Sequence, residues 1–407
     1  MSYSSARLRI LMAAGEVSGD RHASHLAREM LYQDPSIRLY GTGGEMMRAA
    51  GVEVIEQTAQ YGSVGIQESI RFVKPLRRAL RTIQTLVRNE TPDLAVLVDN
   101  EGFNGVLARF LHREGIPFIY YFPPQVWLWG EWRARRIARS ARMIFPAFFP
   151  EAEIYRREGG HVEWYGHPLL DIVGVRANPA DIFRSLGLDA SQRTIALMPG
   201  SRHQEIAELC NPILGAARLI IKQHPDIQLI LPLAAPHLRS GIEHRIREAG
   251  LSSHVVIVTE HVYECLSRCT LVILSSGTAT LEAALLGVPM VAAYRVSPIT
   301  FAIGRAVVKT RFIAMPNILL NGPVVPEVIQ DGVTPERLAS LALDILDNPA
   351  NHSRISNQLR QVRNILGSGR VIPRVAAAIL KETSSVRAAT PVDRAPVDEF
   401  DDLMVKS

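Results

Sequence analysis

Short apolar runs alternate with helical stretches of a dozen or more residues along nearly the whole chain, in two successive rounds. A strand that reads as continuously apolar is buried on both faces, which requires a parallel sheet covered by helices on each side. The expected strands are 8–13, 38–41, 94–98, 118–121, 143–145 and 162–165, then 194–198, 227–231, 255–258, 271–274 and 290–293. Helices are expected over 19–32, 45–50, 70–89 (either continuous or broken at Pro75), 104–114 and 151–158. A chain of 407 residues outgrows a single core. The fold class is therefore α/β, as two doubly wound Rossmann-like domains. The expected boundaries are 1–171 for the first domain, 172–355 for the second, 356–383 for C-terminal helices, and 384–407 for a disordered tail rich in alanine, proline and aspartate.

Cys210, Cys265 and Cys269 are the three cysteines, an odd number without paired spacing, so neither a disulfide framework nor a zinc ribbon is expected. No stretch reaches the length and apolarity of a membrane span, and the first nine residues do not read as a secretory leader. The net charge of +5 permits contact with phosphate or an anionic membrane without implying nucleic acid. No Asp-x-Asp pair is placed to hold a divalent cation, so no metal and no cofactor are expected.

In open parallel sheets, ligands bind beyond the carboxyl ends of the strands, so the turns that follow strands carry the functional signal. Pro199-Gly200-Ser201-Arg202 leads into a helix that carries Gln204 and Glu205. Its free N–H groups and arginine suit a phosphate, and an ordinary tight turn with a surface arginine gives the same pattern. Ser276-Gly277-Thr278 follows another strand. Ser276 and Thr278 can cap the helix or cradle a pyrophosphate, and Glu282, one turn inside, can accept ribose hydroxyls or simply answer the helix dipole. Ala14-Gly15-Glu16-Val17-Ser18-Gly19 forms a similar turn after the first strand. Asp99, at a strand end, suits either a general base or a helix cap. The aromatic run from Tyr120 to Trp129 is either core filling or a wall for sugar or acyl groups.

In this order and spacing the motifs resemble the lipid-A-disaccharide synthase family, from about Leu8 to Leu380. The nucleotide-domain signatures are Met198-Pro199-Gly200-Ser201-Arg202 with Glu205, and Ser276-Gly277-Thr278-Ala279-Thr280-Leu281-Glu282. The acceptor-domain signatures are Gly15-Glu16-x-Ser18-Gly19-Asp20, Val64-Gly65-Ile66-x-Glu68, and Asp99 ahead of Phe103-Asn104. Val126-Trp127-x-Trp129, Gly166-His167-Pro168-Leu169 and Pro316-Asn317-Ile318-Leu319 also fit.

The resemblance implies two facing Rossmann-like domains of the GT-B type, with the final helices crossing back to the first. It implies an inverting, metal-independent glycosyltransferase that moves a diacylglucosamine from UDP to a diacylglucosamine 1-phosphate acceptor, forming a β-1,6 linkage. By the same transfer, Asp99 is the base. Gly200, Ser201, Arg202, Glu205, Ser276, Gly277, Thr278 and Glu282 hold the donor. Gly15, Glu16, Ser18, Gly65, Glu68, Asn104, Trp127, His167 and Asn317 serve the acceptor or the cleft. The chain departs from the family pattern at Asn100-Glu101-Gly102, at Pro123-Pro124-Gln125 and after Leu319. A paralogue with another acceptor, a UDP-sugar epimerase and a non-catalytic nucleotide-sugar binder are the rival readings.

Between Arg71 and Arg88 lie six cations and no acid, with apolar residues at helical spacing. A helix packed on its own sheet and a basic membrane-surface helix both produce that pattern. Acylated substrates favour the second, hence a cytoplasmic protein attached peripherally to the inner face of the membrane.

Overall fold

The computed structural model describes residues 7–59 and 72–389. The described residues up to Tyr165, joined by those from Arg370 onward, form one compact unit, and Gly166–Gly369 form the other.

The first unit is built on six parallel strands: β1 (Arg9–Ala14), β2 (Arg38–Gly43), β3 (Glu53–Gln57), β4 (Leu94–Val98), β5 (Phe118–Tyr121) and β6 (Met143–Phe145). Their order across the sheet is β3-β2-β1-β4-β5-β6. The second unit repeats the plan with β7 (Thr194–Met198), β8 (Gln228–Pro232), β9 (Val255–Val258), β10 (Leu271–Ser275), β11 (Met290–Tyr294) and β12 (Glu327–Ile329), in the order β12-β11-β10-β7-β8-β9. In each sheet the first strand lies beside the fourth, so the direction of winding reverses there. At that seam Ala14 pairs with Val98, and Met198 pairs with Leu274. The loops that leave these strand ends are therefore neighbours, within each unit. β1 and β4 are almost wholly buried, as doubly covered strands must be.

Two strands were not anticipated. β3 reads Glu-Val-Ile-Glu-Gln at a sheet edge, and β12 is three residues long, so neither shows the apolar run of a central strand. Conversely, 162–165 is not a strand. Only Val162 makes a single parallel bridge, to Ile144. The helix Val73–Asn89 holds Pro75 in its first turn, where a missing N–H costs nothing, so the proline does not break it.

The unit boundaries also differ from the expected ones. Gly166–Asp171 lies with the second unit, where the His167 N–H donates to Leu366 O at 2.8 Å. The expected break at 355/356 falls inside the helix Pro349–Leu366. That helix stays with the second unit, and its Ser356 donates to Gly287 O at 2.7 Å. Only the helix Val371–Ala389 returns to the first unit, and it runs six residues into the expected tail. It buries Ile372, Val375, Ala376 and Ile379, packs along the helix Val17–Gln33, and receives a hydrogen bond from Gln33 Nε2 at Pro373 O. An Arg142–Glu382 ion pair adds to the attachment. The three cysteines are buried free thiols.

All four tryptophans lie in the first unit, so their fluorescence reports on it selectively. Ile379→Ala, which empties a fully buried site, should cost that unit about 2–5 kcal/mol and lower its denaturant midpoint by fluorescence. Ile355→Ala, in the helix Pro349–Leu366, should shift the circular-dichroism transition and leave the fluorescence midpoint in place. Equal fluorescence shifts in both variants would contradict the division of these helices between units.

Candidate active site

In the first unit the seam between β1 and β4 collects Gly15, Ser18, Asp99, Asn100 and Asn104. Asp99 and Asn100 both adopt left-handed backbone, at φ of 53° and 41°, a conformation tolerated best by these residue types and costly for others. The Asp99 N–H lies 3.3 Å from Tyr121 O and 3.2 Å from Phe122 O. Ser18, in the first turn of the helix Val17–Gln33, donates its hydroxyl to Asp99 Oδ2 at 3.2 Å. Asn100 caps the next helix, Glu101–Arg113, by accepting from Phe103 N–H, and donates to Gly15 O at 2.9 Å. A side chain on residue 15 would lie 2.5 Å from Asn100 Nδ2, so glycine is required there by close approach. The expected cap role at this turn thus belongs to Asn100. Asp99 is half-buried and held by Ser18, leaving it suited to act as a base.

Asn104 is fully buried and serves the backbone. Its Nδ2 reaches Ala13 O, Val98 O and Asp99 O at 3.2, 3.0 and 2.7 Å, tying the ends of β1 and β4 together beneath Asp99. Asp20 is likewise structural. It caps the helix Glu45–Ala49 by accepting from Gly44, Met46 and Met47 N–H, and burial raises its pKa against those three bonds.

Glu151, in the first turn of the helix Phe149–Arg157, is fully buried and accepts from Ala147 N–H at 3.2 Å. Burial raises its pKa well above the usual carboxyl range, and the negative charge of Asp99 pushes in the same direction. Burial thus disfavours the charged form of Glu151, the buried carboxyl on the helix that follows β6.

The aromatic run divides in two. Tyr120, Tyr121 and Val126 fill the core, whereas Trp129 is 42% exposed beneath the Arg133 guanidinium, 3.5 Å from the ring centre. Trp127 is half-buried against Phe148. Glu16 precedes the helix Val17–Gln33 as its cap residue without a side-chain capping bond. Gly65 and Glu68 lie outside the described residues.

In the second unit the seam between β7 and β10 holds both phosphate-type turns. After β7, Gly200 has φ of 128°, and a side chain there would lie 2.4 Å from Glu205 Cβ. Glu205 Oε2 accepts from Ser201 N–H at 2.7 Å and Arg202 N–H at 3.3 Å, while Oε1 accepts from Arg202 Nη1 at 2.8 Å. Glu205 is thus the brace of the turn, and a guanidinium has further donors to offer beyond the one it uses. Tyr294, at the end of β11, lies close enough to feel both charges. Burial raises its pKa, Glu205 adds to the rise and Arg202 opposes it.

After β10, the helix Thr278–Leu285 opens at Gly277 with no side chain capping its first turn. Ser276 was expected as a cap or cradle, but its hydroxyl donates to Ile313 O at 2.6 Å and its N–H to Ala293 O at 2.8 Å. The first-turn N–H groups of this helix, rather than the serine hydroxyl, are what the turn presents to an anion. Glu282 is 6% exposed and accepts from the Tyr263 hydroxyl at 2.8 Å. Tyr263, in the helix Val262–Arg268, was not singled out in the sequence. Its available signal is its place after the carboxyl end of β9.

His167 and Asn317 belong to the second unit and serve the backbone. His167 Nδ1 accepts from Leu169 N–H at 3.1 Å, and burial pushes its pKa down to about 3, so it is neutral. Asn317 donates to Val325 O and Glu327 Oε1 and accepts from Val325 N–H, all within 2.9 Å. Glu327 also accepts from Ile313 and Ala314 N–H, so Asn317 and Glu327 anchor the segment to which Ser276 is bonded.

A family model described as lipid-A-disaccharide synthetase matches residues 10–379. The chain belongs to the lipid-A-disaccharide synthase family. It is 38% identical to the lipid-A-disaccharide synthase of Geobacter metallireducens over 92% of this chain and 97% of that protein. The same figures hold for the Geobacter sulfurreducens protein of that name. Among solved structures, a UDP-GlcNAc 2-epimerase from Neisseria meningitidis bound to UDP-GlcNAc superposes with a TM-score of 0.61, at 14% identity over 92% of this chain and 99% of that one. At that identity the likeness speaks for the fold alone. Both signature turns of the family lie at the seam of the second sheet in this chain, and Asp99 lies at the seam of the first.

Asn104→Ala leaves three carbonyl groups at the first seam short of a donor. It should cost about 1–3 kcal/mol in the fluorescence-monitored transition, without changing UDP affinity by calorimetry. No loss of stability would show that the staple is dispensable.

Proposed function

We propose that this protein, a glycosyltransferase by family, transfers a diacylglucosamine from its UDP donor to a diacylglucosamine 1-phosphate, giving the β-1,6-linked disaccharide 1-phosphate and UDP. The observation that carries the reading is the family match across residues 10–379 together with the seam positions of this chain's own motifs.

The chemistry follows from the residues. The acceptor hydroxyl loses its proton to Asp99 as it attacks the anomeric carbon, with Ser18 holding the carboxylate in one orientation. Negative charge grows on the β-phosphate of the departing UDP. Arg202 and the first-turn N–H groups of the helix Thr278–Leu285 oppose that charge where it forms. Glu282, held by Tyr263, accepts the ribose hydroxyls. The helix end and the arginine take the part a divalent cation plays elsewhere.

Peripheral attachment to the inner membrane face belongs to the same reading. Among the described residues no helix is long and apolar enough to cross a membrane. The helix Val73–Asn89 turns Ala79, Ile83 and Val87 into the core and leaves Arg77, Arg78, Arg81 and Arg88 exposed. Its apolar side is occupied, so it offers an anionic surface charge alone, at about 1 kcal/mol per cation and screened by salt.

Mass spectrometry after incubation with UDP-diacylglucosamine and diacylglucosamine 1-phosphate should reveal the disaccharide phosphate. Epimerised UDP-sugar formed without any acceptor would overturn the assignment. Asp99→Asn should lower turnover by roughly 10²–10⁴ with UDP affinity intact, and near-normal turnover would remove Asp99 as base. Arg202→Ala should weaken UDP binding by about 1.5–3 kcal/mol, read by calorimetry. Turnover should survive excess chelator, and a loss reversed by magnesium would return a metal to the mechanism.

A further inference from the structure

The helix Pro298–Val307 in the second unit has no buried residue. Ile299 is 58% exposed, Ile303 44%, Val307 48% and the following Val308 37%. The first three recur every fourth position and form one stripe, widened by exposed Ala302 and Ala306. Half-buried Thr300, Phe301 and Gly304 make up the opposite side. A helix of a water-soluble unit ordinarily turns its apolar stripe inward, as the helix Val73–Asn89 does here. This one turns it outward, and a contiguous exposed apolar surface marks a place of contact.

Charge identifies the partner. Exposed Arg305, Lys309 and Arg311 flank the stripe, and no acidic residue occurs between Val296 and Pro326. An apolar stripe edged by cations fits the boundary between acyl chains and anionic headgroups, where apolar insertion and electrostatic attraction act together. A second copy of the chain fits poorly, because two such cationic edges meeting would repel each other.

Location connects the stripe to the donor turn. The segment follows β11, the neighbour of β10 in the sheet. Ser297 caps its first turn by accepting from Thr300 N–H, and beyond its end Ile313 O accepts from Ser276, the residue that opens the donor turn.

We propose that the stripe Ile299, Ile303, Val307 and Val308, with Arg305, Lys309 and Arg311, is a membrane-contact surface that seats the donor-binding unit on anionic lipid. It rests on the reading that the donor is acylated, which makes a lipid surface beside the donor turn useful. The contact itself can be measured without substrate.

The test is flotation with vesicles of phosphatidylglycerol and phosphatidylcholine at low and high salt. All three residues in the variant Ile299→Ser/Ile303→Ser/Val307→Ser are exposed, so the fold should survive, with UDP affinity equal to wild type. Its vesicle partitioning should fall by roughly tenfold or more, and the deficit should persist at high salt, where apolar insertion alone remains. Replacing Arg305, Lys309 and Arg311 with glutamine should instead weaken partitioning at low salt and leave it near wild type at high salt. Flotation of the serine variant equal to wild type would overturn the proposal. So would a wild-type dimer that the serine variant converts to monomer while both ignore vesicles, since the stripe would then be a self-interface. If neither protein binds UDP yet the flotation pattern holds, the donor reading falls and the membrane surface stands.

Discussion

A parallel sheet wound outward in both directions from its middle has one place where neighbouring strands hand the chain to helices on opposite faces. The backbone that leaves those two strand ends cannot continue the ladder, and its N–H groups point into the gap without partners from the sheet. Each unit of this protein contains one such seam. At β1 and β4 the gap is closed from beneath by Asn104 and shaped above by two left-handed residues. At β7 and β10 it is framed by Glu205 on one side and an uncapped helix start on the other. The residues we propose as functional are those that the seam leaves over once the backbone has been satisfied.

That division of labour explains which parts were legible in the sequence. Doubly covered strands announce themselves by unbroken apolar runs, so β4, β5 and β7 were read to the residue, as was the half-buried edge strand β9, whose Val-Val-Ile-Val is apolar throughout. Edge strands such as β3, with glutamates on both ends of a two-residue apolar pair, carry no such mark. The turns were legible because glycine and a small polar residue after a strand have few other uses. Which polar residue faces a ligand and which faces its own backbone was not legible. Asn104, His167 and Asn317 each bond to their own chain, and one-dimensional spacing does not show those partners. Tyr263 escaped for the complementary reason. Its partner Glu282 lies on another strand-helix unit nineteen positions away, joined only by folding.

The carboxylates illustrate how burial sorts chemically identical groups. Glu151 is sealed in with its pKa raised by burial, Glu205 is spent on a turn, Glu282 is held by a phenol, and Asp99 alone sits at a strained strand end with a serine hydroxyl against it. Environment, rather than residue type, assigns each its work.

The first unit is completed by the helix Val371–Ala389, although its six strands end at Phe145. On a ribosome, the face of the helix Val17–Gln33 that this last segment covers therefore waits through the synthesis of more than three hundred residues. The second unit, contiguous from Gly166 to Gly369, has all its own parts before the first has its last one. The apolar face of the helix Val17–Gln33 therefore stays uncovered until the last described helix has been made.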